Sequence, residues 1–339
     1  MPLKTPAYWR RRSFLAWMLW PISLLFRGLV AIRSSLYRLG VLRSWQSPVP
    51  VVVIGNLTAG GAGKTPLVIA LAVHLQQKGI VVGVVTRGYG GAMSGSEPIL
   101  VTPESDPLQV GDEAVLIARR TGVKVVAAKD RSAAVRYLLD LGASDVVISD
   151  DGLQHYAMQR DIELLVVDRQ YQFGNGFCFP AGPLREPLSR LKQVDQIVFS
   201  GSSYDSGDST KAGYTLVANV FYNVASGRSI VADRFTSEIN HSEVHAVAAI
   251  AQPRKFFEML QGLGLKLIEH PFADHSVYQA SDLEFGDALP IVITEKDLVK
   301  CADWASDVVW TLQVSAEVDG IVLDEFDQLL AVAQQRTFS

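Results

Sequence analysis

The stretch at residues 56–67, NLTAGGAGKTPL, restricts the possible fold more than any other segment of this chain. It follows an apolar β-branched run, VVVIG, and precedes a segment of helical length, which is the context in which the phosphate-binding pattern G-x-x-x-x-G-K-[ST] operates. The chain matches the end of the pattern at Gly63, but Thr58 stands where the first glycine is usual. Because Gly60 and Gly61 can provide the sharp turn after the strand, we interpret the stretch as a phosphate loop and not as an incidental glycine turn.

Phosphate binding by such a loop uses backbone N–H groups, the N-terminus of the following helix and one mobile cation. Lys64 supplies the cation, and Thr65 supplies a hydroxyl for Mg²⁺. Pro66 fits the first helical turn, because no partner for its missing N–H is needed there. The predicted nucleotide-binding residues are Thr58, Ala59, Gly60, Gly61, Ala62, Gly63, Lys64 and Thr65.

A phosphate loop also requires a carboxylate that holds the metal ion at the end of a nearby strand. The run DVVISDD ends in Asp150 and Asp151, which are the candidates for this role. Two acids followed by Gly152 also fit a simple turn, but the presence of the phosphate loop favours the metal site. Gln154 and His155 follow closely and are candidate orienting groups.

Three further features do not decide a role from the residues alone. Asp112, in VGDEA, fits either a helix N-cap or a base that accepts a hydroxyl proton, and its spacing does not distinguish them. His275, in FADHSVY, is a lone histidine, and such residues are usually structural. The motif TEKD at residues 294–297 has Glu295 where the guanine-reading N-K-x-D has lysine, so we infer no GTP binding from it.

The order of predicted elements indicates two α/β domains. From residue 50, short β-branched runs alternate with segments of helical length, which predicts a parallel sheet with right-handed crossovers. A polar break precedes two strand-like runs, and a second alternating set follows. The predicted parts are an N-terminal helical segment, a phosphate-loop domain, a two-stranded linker and a smaller α/β domain, at residues 1–45, 46–210, 211–235 and 236–339. A two-substrate active site is expected in the cleft between the two domains.

Charge is distributed unevenly along the 339 residues. The chain has 31 Lys and Arg against 35 Asp and Glu, yet its first acidic residue is Glu97. Eleven of the basic residues precede Glu97, so the remainder carries 20 basic against 35 acidic residues. A positive N-terminal part therefore predicts an anionic partner there. The two cysteines, Cys178 and Cys301, lie far apart, which indicates neither a disulfide nor a thiolate zinc site and fits a reducing cytosol.

The basic N-terminus contains an apolar helix, FLAWMLWPISLLF at residues 14–26. It has no small-x-small cleavage site of a signal peptide, and Pro21 and Arg27 interrupt it before the about 20 residues of a transmembrane helix. A helix packed on the protein's own core is a further alternative. Its tryptophans and the narrow polar stripe through Ser23, Arg27, Ser34 and Arg38 favour a helix that lies in the membrane interface. A single span remains a second possibility.

Eight motifs, in order along almost the whole chain, make the sequence resemble the tetraacyldisaccharide 4′-kinase family of lipid A synthesis in Gram-negative bacteria. The motifs are GNLTAGGAGKTP, TRGYGG, VGDEA, KDR, SDDGLQH, PAGPLRE, FADHSVY and TEKD. The loop of this family commonly lacks the first glycine too, so Thr58 is typical of it. One departure is Ser276, which stands where the family often has a second histidine.

The resemblance implies a P-loop-containing α/β/α domain and a second, smaller α/β/α domain, joined by a two-stranded β linker, with an N-terminal membrane-associated helix. It implies transfer of the γ-phosphate of ATP, with Mg²⁺, to the 4′-hydroxyl of tetraacyldisaccharide 1-phosphate, giving lipid IVA. The lipid substrate is expected at the phospholipid surface on the cytoplasmic face of the bacterial inner membrane. Neither a nucleic acid nor an obligate protein partner is expected.

The resemblance also implies residue roles. Asp112 corresponds to the base, His275 to its partner and Lys64 to the catalytic lysine, while Asp150 and Asp151 correspond to the metal site with Thr65. The candidate substrate contacts are Arg131, Arg185 and Glu186. A membrane-associated ATPase switch is the main alternative, but such proteins carry an extra lysine where this chain has Thr58 and Ala59. A GTP-dependent metal-insertion protein would require His/Cys clusters and an intact N-K-x-D.

Overall fold

The structure of the chain is a computed structural model, and it describes residues 6–61, 63–89, 91, 97–201, 212–274, 276, 278–302 and 304–337. Two residues with predicted roles, Ala62 of the loop and His275, lie outside the described residues. The strands are β1 (Val51–Gly55), β2 (Val82–Thr86), β3 (Ile99–Val101), β4 (Lys124–Ala127), β5 (Val146–Asp150), β6 (Ile162–Asp168), β7 (Gln196–Ser200), β8 (Gly213–Asn223), β9 (Ser229–Val231), β10 (Glu243–Ala248), β11 (Lys266–Pro271), β12 (Ile291–Thr294) and β13 (Val309–Val318). The helices are α1 (Phe14–Arg38), α2 (Lys64–Gln77), α3 (Pro107–Val110), α4 (Asp112–Thr121), α5 (Arg131–Asp140), α6 (Phe235–Ile239), α7 (Pro253–Gly262), α8 (Glu295–Leu298) and α9 (Gly320–Thr337).

The strands of the described residues form one continuous sheet. Its order is β11-β10-β12-β13-β8-β7-β6-β1-β5-β2-β4-β3, and β9 pairs with β8 off this path. The phosphate-loop side, from β7 to β4, is parallel, as the alternation of strands and helices predicts. The edge strand β3 differs, since it pairs antiparallel to β4. The mixed α/β fold predicted from the sequence is thus the fold of the chain.

The two halves of the sheet are joined by the long antiparallel pair β8 and β13. The sequence suggested that the linker strands follow one another at residues 211–235, but the longer partner of β8 comes from residues 309–318. The run SIVADRF contributes only the three-residue β9 and then turns helical. The two strands that join the halves of the sheet, β8 and β13, are therefore far apart in sequence and pair only in the folded chain.

Apolar side chains cover both faces of the phosphate-loop half. One cluster lies between the sheet and α2, α4 and α9, and includes Leu71, Ile117 and Phe326. The opposite cluster contains Val53 and Leu138 and packs α5 against the sheet. Two smaller clusters fill the other half of the sheet. The two cysteines, Cys178 and Cys301, are buried and free.

Helix α1 is 25 residues long and continues through Pro21. The two serines of its predicted polar stripe face the protein, because Ser23 and Ser34 are buried and the Ser23 hydroxyl donates a hydrogen bond of 2.8 Å to the Cys178 carbonyl. The two arginines of the stripe, Arg27 and Arg38, are exposed. Large apolar residues point away from the protein, and only 11% of the most apolar 18-residue window is buried. By length and composition, α1 is the one helix of the described residues that could cross a membrane.

Candidate active site

The phosphate loop adopts the backbone that its glycines permit. Gly60 and Gly63 have φ angles of 113° and 81°, in the left-handed region that favours glycine. A Cβ at Gly63 would lie 2.5 Å from the Tyr214 hydroxyl oxygen, and this hydroxyl donates a hydrogen bond to the Gly63 carbonyl. Gly63 is the N-cap of α2, so the unpaired N–H groups of the first turn open on the loop. The loop and the helix N-terminus together form a site for anionic oxygens.

Lys64 is held over the loop by two polar side chains. Its ammonium lies 3.2 Å from Asn56 Oδ1 and 3.5 Å from Asp151 Oδ1. The amide of Asn56, which is fully buried, donates to the carbonyl oxygens of Thr58 and Gly60 at 2.9 and 3.3 Å. Asn56 therefore fixes the curvature of the loop and the position of its cation together.

The start of the loop is paired with the segment at residues 183–185. Thr58 forms an isolated β-bridge with Leu184, and the Ala59 N–H donates to the Pro183 carbonyl at 2.8 Å. The sequence analysis assigned both residues to nucleotide binding, but the N–H of Ala59 is already paired within the protein. The part of the loop that opens to a phosphate begins at Gly60. This pairing also explains why the first glycine of the pattern is dispensable, since Thr58 runs as extended chain there.

Asp150 lies where a metal-holding carboxylate is required. It ends β5 and is paired in register with Ile54, which immediately precedes the end of β1 and the loop. Its side chain is buried, and Oδ1 has no hydrogen-bond partner among the described residues. Burial raises the pKa of Asp150 to about 7, and the charge of Glu113 adds to the rise. A buried carboxylate oxygen without a partner is costly unless a cation or a proton satisfies it, so the residue fits a divalent ion.

Asp151 has a different environment from its neighbour. Both of its carboxylate oxygens lie 3.2 Å from Arg185 Nη1, and one lies 3.5 Å from the Lys64 ammonium. Burial opposes its ionisation, but Lys64 and Arg185 outweigh burial, so the pKa of Asp151 lies below its usual value. Its φ of 49° is in the left-handed region, which is uncommon for a residue other than glycine. Of the two carboxylates, Asp150 has the greater unused coordination capacity.

The three predicted substrate contacts divide by exposure. Arg185 is one-third exposed and faces Asp151. Arg131 is buried, and its guanidinium donates to the Ala128 carbonyl at 3.1 Å and to the Asp150 carbonyl at 3.3 Å. Glu186 is also buried: it accepts a 2.5 Å hydrogen bond from the Tyr156 hydroxyl. A direct substrate contact fits Arg185, whereas burial places Arg131 and Glu186 in supporting positions.

Asp112 lies at the start of α4, and two lysines from the other half of the sheet face it. Its Oδ2 lies 3.8 Å from Lys296 Nζ and 3.7 Å from Lys300 Nζ. Only 4% of Asp112 is exposed. The N-cap of α4 is Gly111, so the helix-cap interpretation of Asp112 is not supported. His275 lies outside the described residues, and the preceding Asp274 lies 3.4 Å from Lys296 Nζ.

An open cleft of about 840 Å³ separates the loop from the second half of the molecule. Lys64 and Thr65 line one side, and residues 250–252 and 294–296 line the other. Gln252 crosses the cleft and donates to the Gly61 carbonyl at 2.9 Å. The sequence predicts a two-substrate site between two α/β units, and this cleft is the candidate for it.

A phosphate loop on α2, a buried carboxylate on the neighbouring strand and a cleft towards a second α/β unit define a phosphate-loop transferase of the kinase class. The family model described as tetraacyldisaccharide-1-P 4′-kinase matches residues 15–331. The chain belongs to this family.

Relatives and a solved structure agree with this assignment. Tetraacyldisaccharide 4′-kinase of Pasteurella multocida is 44% identical over 329 residues, which cover 95% of this chain and 98% of that protein. The Hahella chejuensis enzyme of the same name is 44% identical over 330 residues and covers 95% of each. The crystal structure of "apo" form LpxK from Aquifex aeolicus in complex with ATP has a TM-score of 0.77 and 27% identity, and covers 94% of this chain and 99% of that one.

Sequence reasoning missed three groups that the structure brings to the site. Asn56 lies inside a quoted motif but was not given a role. Tyr214 reaches Gly63 from β8, and no sequence signal marks it because the contact is made only in space. Lys296 was part of a motif considered only for guanine reading, which the sequence rejected. The motif TEKD, which had no assigned function, was the sequence signal from which a role for Lys296 could have been predicted.

Proposed function

We propose that this chain transfers the γ-phosphate of ATP to the 4′-hydroxyl of tetraacyldisaccharide 1-phosphate and so forms lipid IVA. The observation that carries the proposal is the family match across residues 15–331 together with a complete phosphate-loop site at Lys64 and Asp150. The curated relatives bear the name of this kinase, and the similar solved structure is described in complex with ATP.

The phosphates of ATP bind at the loop from Gly60 to Thr65. The Lys64 ammonium gives up its contacts with Asn56 and Asp151 and binds the terminal phosphates. The N-terminal N–H groups of α2 add donors at the same end. The phosphate chain is thus oriented before the acceptor arrives, which is the main contribution that a phosphoryl-transfer site makes.

Mg²⁺ would be held by Thr65 and Asp150, with Asp151 next to it. The partnerless Oδ1 of Asp150 supports this assignment. Among the described residues there is no cluster of three or more His, Cys, Asp and Glu side chains that could form an all-protein metal cage. Mg²⁺ usually binds through one or two carboxylates and the substrate phosphates, so such a cage is not needed. When bound, the ion neutralises charge on the transferring phosphoryl group.

Asp112 acts as the base that removes the proton of the 4′-hydroxyl, with His275 as its partner. A sugar hydroxyl is a weak nucleophile at neutral pH, so a positioned base contributes about 10²- to 10⁴-fold. Asp112 is close to the cleft, and its neighbour Glu113 lines the cleft wall and influences the Asp150 carboxyl. Transfer requires the acceptor oxygen between the base and the γ-phosphate, and Lys64 and Glu113 line the same cleft.

Substrate recognition rests on Arg185, whose accessible guanidinium can contact a phosphate or sugar oxygen. Arg131 and Glu186 support the site from buried positions and do not contact the substrate. Arg131 holds the carbonyl oxygens at Asp150 and Asp151, and Glu186 anchors the segment that carries Arg185. Their replacement should therefore alter the geometry of the site more than the affinity for lipid.

The lipid acceptor is met at a membrane surface, on the cytoplasmic face of the inner membrane. Helix α1 exposes an apolar face rich in tryptophan and leucine, and Arg10, Arg11 and Arg12 precede it. Such a helix with basic flanks binds anionic phospholipid interfaces. We assign α1 as a peripheral anchor in the interface.

Transfer of ³²P from γ-labelled ATP to tetraacyldisaccharide 1-phosphate in mixed micelles tests the function. The expected product is a labelled lipid whose formation requires Mg²⁺. Release of inorganic phosphate without labelled lipid would instead identify the membrane ATPase switch. The Lys64→Met variant is the matched blank, because it removes the loop cation and retains a side chain of similar length.

A further inference from the structure

The motif TEKD forms the short helix α8, and each of its side chains makes a defined contact. Thr294 caps the helix, accepting from the Asp297 N–H at 3.1 Å. Asp297 is fully buried and accepts from the Ala249 N–H at 3.0 Å. Both contacts fix α8 to the second half of the sheet. The orientation of the two remaining residues, Glu295 and Lys296, is therefore set by a rigid base.

Glu295 fastens α8 to the phosphate-loop half. Both of its carboxylate oxygens lie 2.7 Å from Arg120 Nη1 on α4, and one accepts from the Val314 N–H at 3.0 Å. Arg120 also donates to the Val314 carbonyl at 3.1 Å. This clamp joins α8 and β13 to the last turn of α4.

Lys296 projects from this fixed helix onto the first turn of α4. Its ammonium lies 3.2 Å from Glu113 Oε1, 3.4 Å from Asp274 Oδ1 and 3.8 Å from Asp112 Oδ2. Three carboxylates thus converge on one cation. Burial opposes its charge, but Glu113 and then Asp112 outweigh burial and raise the pKa of Lys296 well above its usual value.

The contact with Asp112 differs from the other two in its surroundings. The side chains of Glu113 and Asp274 are about one-third exposed, and ion pairs of that kind contribute little. The side chain of Asp112 is 4% exposed, and Lys300 provides a second cation at 3.7 Å. The Asp112 carboxylate thus lies between two ammonium groups, which restrain its direction.

We propose that Lys296 is a positioning residue for the reaction: from α8 it orients the Asp112 carboxylate towards the acceptor hydroxyl. The inference rests on the proposed function, in which Asp112 is the base. Lys296 does not itself exchange a proton with the substrate. It connects the second half of the molecule to the chemistry, because it reaches the base on α4 from α8.

Three variants in the lipid phosphorylation assay test this role. Lys296→Met removes the cation and retains the side-chain length, and we expect a fall in kcat of about 10- to 100-fold, the scale of a misplaced catalytic group. The KM values for ATP and for the lipid should stay within about twofold. Lys296→Arg restores a cation at the same place and should recover most of the lost kcat. Lys78→Met is the matched control, since Lys78, just after α2, pairs with Asp327 of α9 and is not among the residues that line the cleft.

A double-mutant cycle shows whether Lys296 acts through Asp112. In the Asp112→Asn background, adding Lys296→Met should cause little further loss, because the group that Lys296 orients no longer serves as a base. Additive losses would overturn the proposal, as would a raised KM with an unchanged kcat, which would make Lys296 a substrate ligand. The proposal would also be overturned if Lys296→Met and Lys296→Arg lost the same kcat and the same melting temperature, because this result would assign Lys296 to folding alone. Absence of lipid phosphorylation by the unmodified chain would refute the proposed function instead.

Discussion

Replacement of Leu25 and Leu29 of α1 by serine should release the protein from membranes. The two side chains lie one helical turn apart and are 71% and 67% exposed, so neither is needed for packing on the protein. Burial of a whole leucine side chain contributes about 2 kcal/mol, so two-thirds of one contributes about 1.3 kcal/mol to insertion into lipid. The pair therefore accounts for about 2.7 kcal/mol, which corresponds to about a 100-fold change in the partition coefficient.

Sedimentation with vesicles that contain phosphatidylglycerol measures this coefficient for the full chain. The matched control is the double variant Ile321→Ser and Val332→Ser on α9, whose side chains are also exposed, at 64% and 48%, but lie on another element. Circular dichroism should show unchanged folding for both. An unaltered partition coefficient for the α1 variant would refute the interfacial assignment. If this variant remained in the membrane fraction after extraction with alkaline carbonate, a membrane span would be favoured.

The remaining predictions concern the loop, the metal site and a histidine pair. Gly63→Ala should abolish ATP binding in calorimetry, since its Cβ would meet the Tyr214 hydroxyl at 2.5 Å, whereas Tyr214→Phe should weaken ATP binding only several-fold; retained affinity in Gly63→Ala would contradict the loop geometry. Asp150→Asn should raise the melting temperature of the nucleotide-free protein at about pH 8, because it removes a disfavoured buried charge, and should end Mg²⁺-dependent ATP binding; a lower melting temperature would oppose this reasoning. Burial and the adjacent His245, 2.9 Å away, hold the pKa of His270 below 6.5. As the pH falls, His270 therefore takes up a proton in the unfolded chain before it does so in the folded protein. The contribution of neutral His270 to the free energy of unfolding is thus present above about pH 6.5 and is lost as the pH falls. Thermal melts of the unmodified chain and of His270→Gln check this, and equal pH dependence in both would contradict it.

The sequence predicted the elements that have a clear period and a clear end. The runs VVVIG and DVVISDD contain β1 and β5. Two elements escaped for physical reasons. The edge strand β3 has three residues, too few to show a pattern, and α1 runs through Pro21 although proline often ends a helix.

The site was predicted where chemistry is local and missed where it is assembled in space. The loop motif places Lys64 beside a strand, and the parallel register places Asp150 next to it. The burial of Arg131 and Glu186 could not be read from their motifs, because a charged residue in a loop is usually exposed. The contacts of Lys296 depend on how two halves of a sheet meet, which no local pattern encodes.

One segment connects the membrane helix to the phosphate loop. This segment, residues 177–185, accepts a hydrogen bond from the Ser23 hydroxyl of α1 at the Cys178 carbonyl. A few residues further along, it accepts one from the Ala59 N–H of the loop at the Pro183 carbonyl. The Trp9 indole also donates to this segment, at the Pro180 carbonyl, 3.1 Å away. Because these contacts are short and are made to one compact segment of nine residues, a helix bound to lipid would hold the loop close to the membrane surface. An acyl-chain substrate could then present a headgroup hydroxyl to the γ-phosphate while its chains stay in the bilayer, which spares the free energy of moving them into water. The exposed apolar face of α1 and the phosphate loop are thus parts of one arrangement suited to an acceptor that does not leave the membrane.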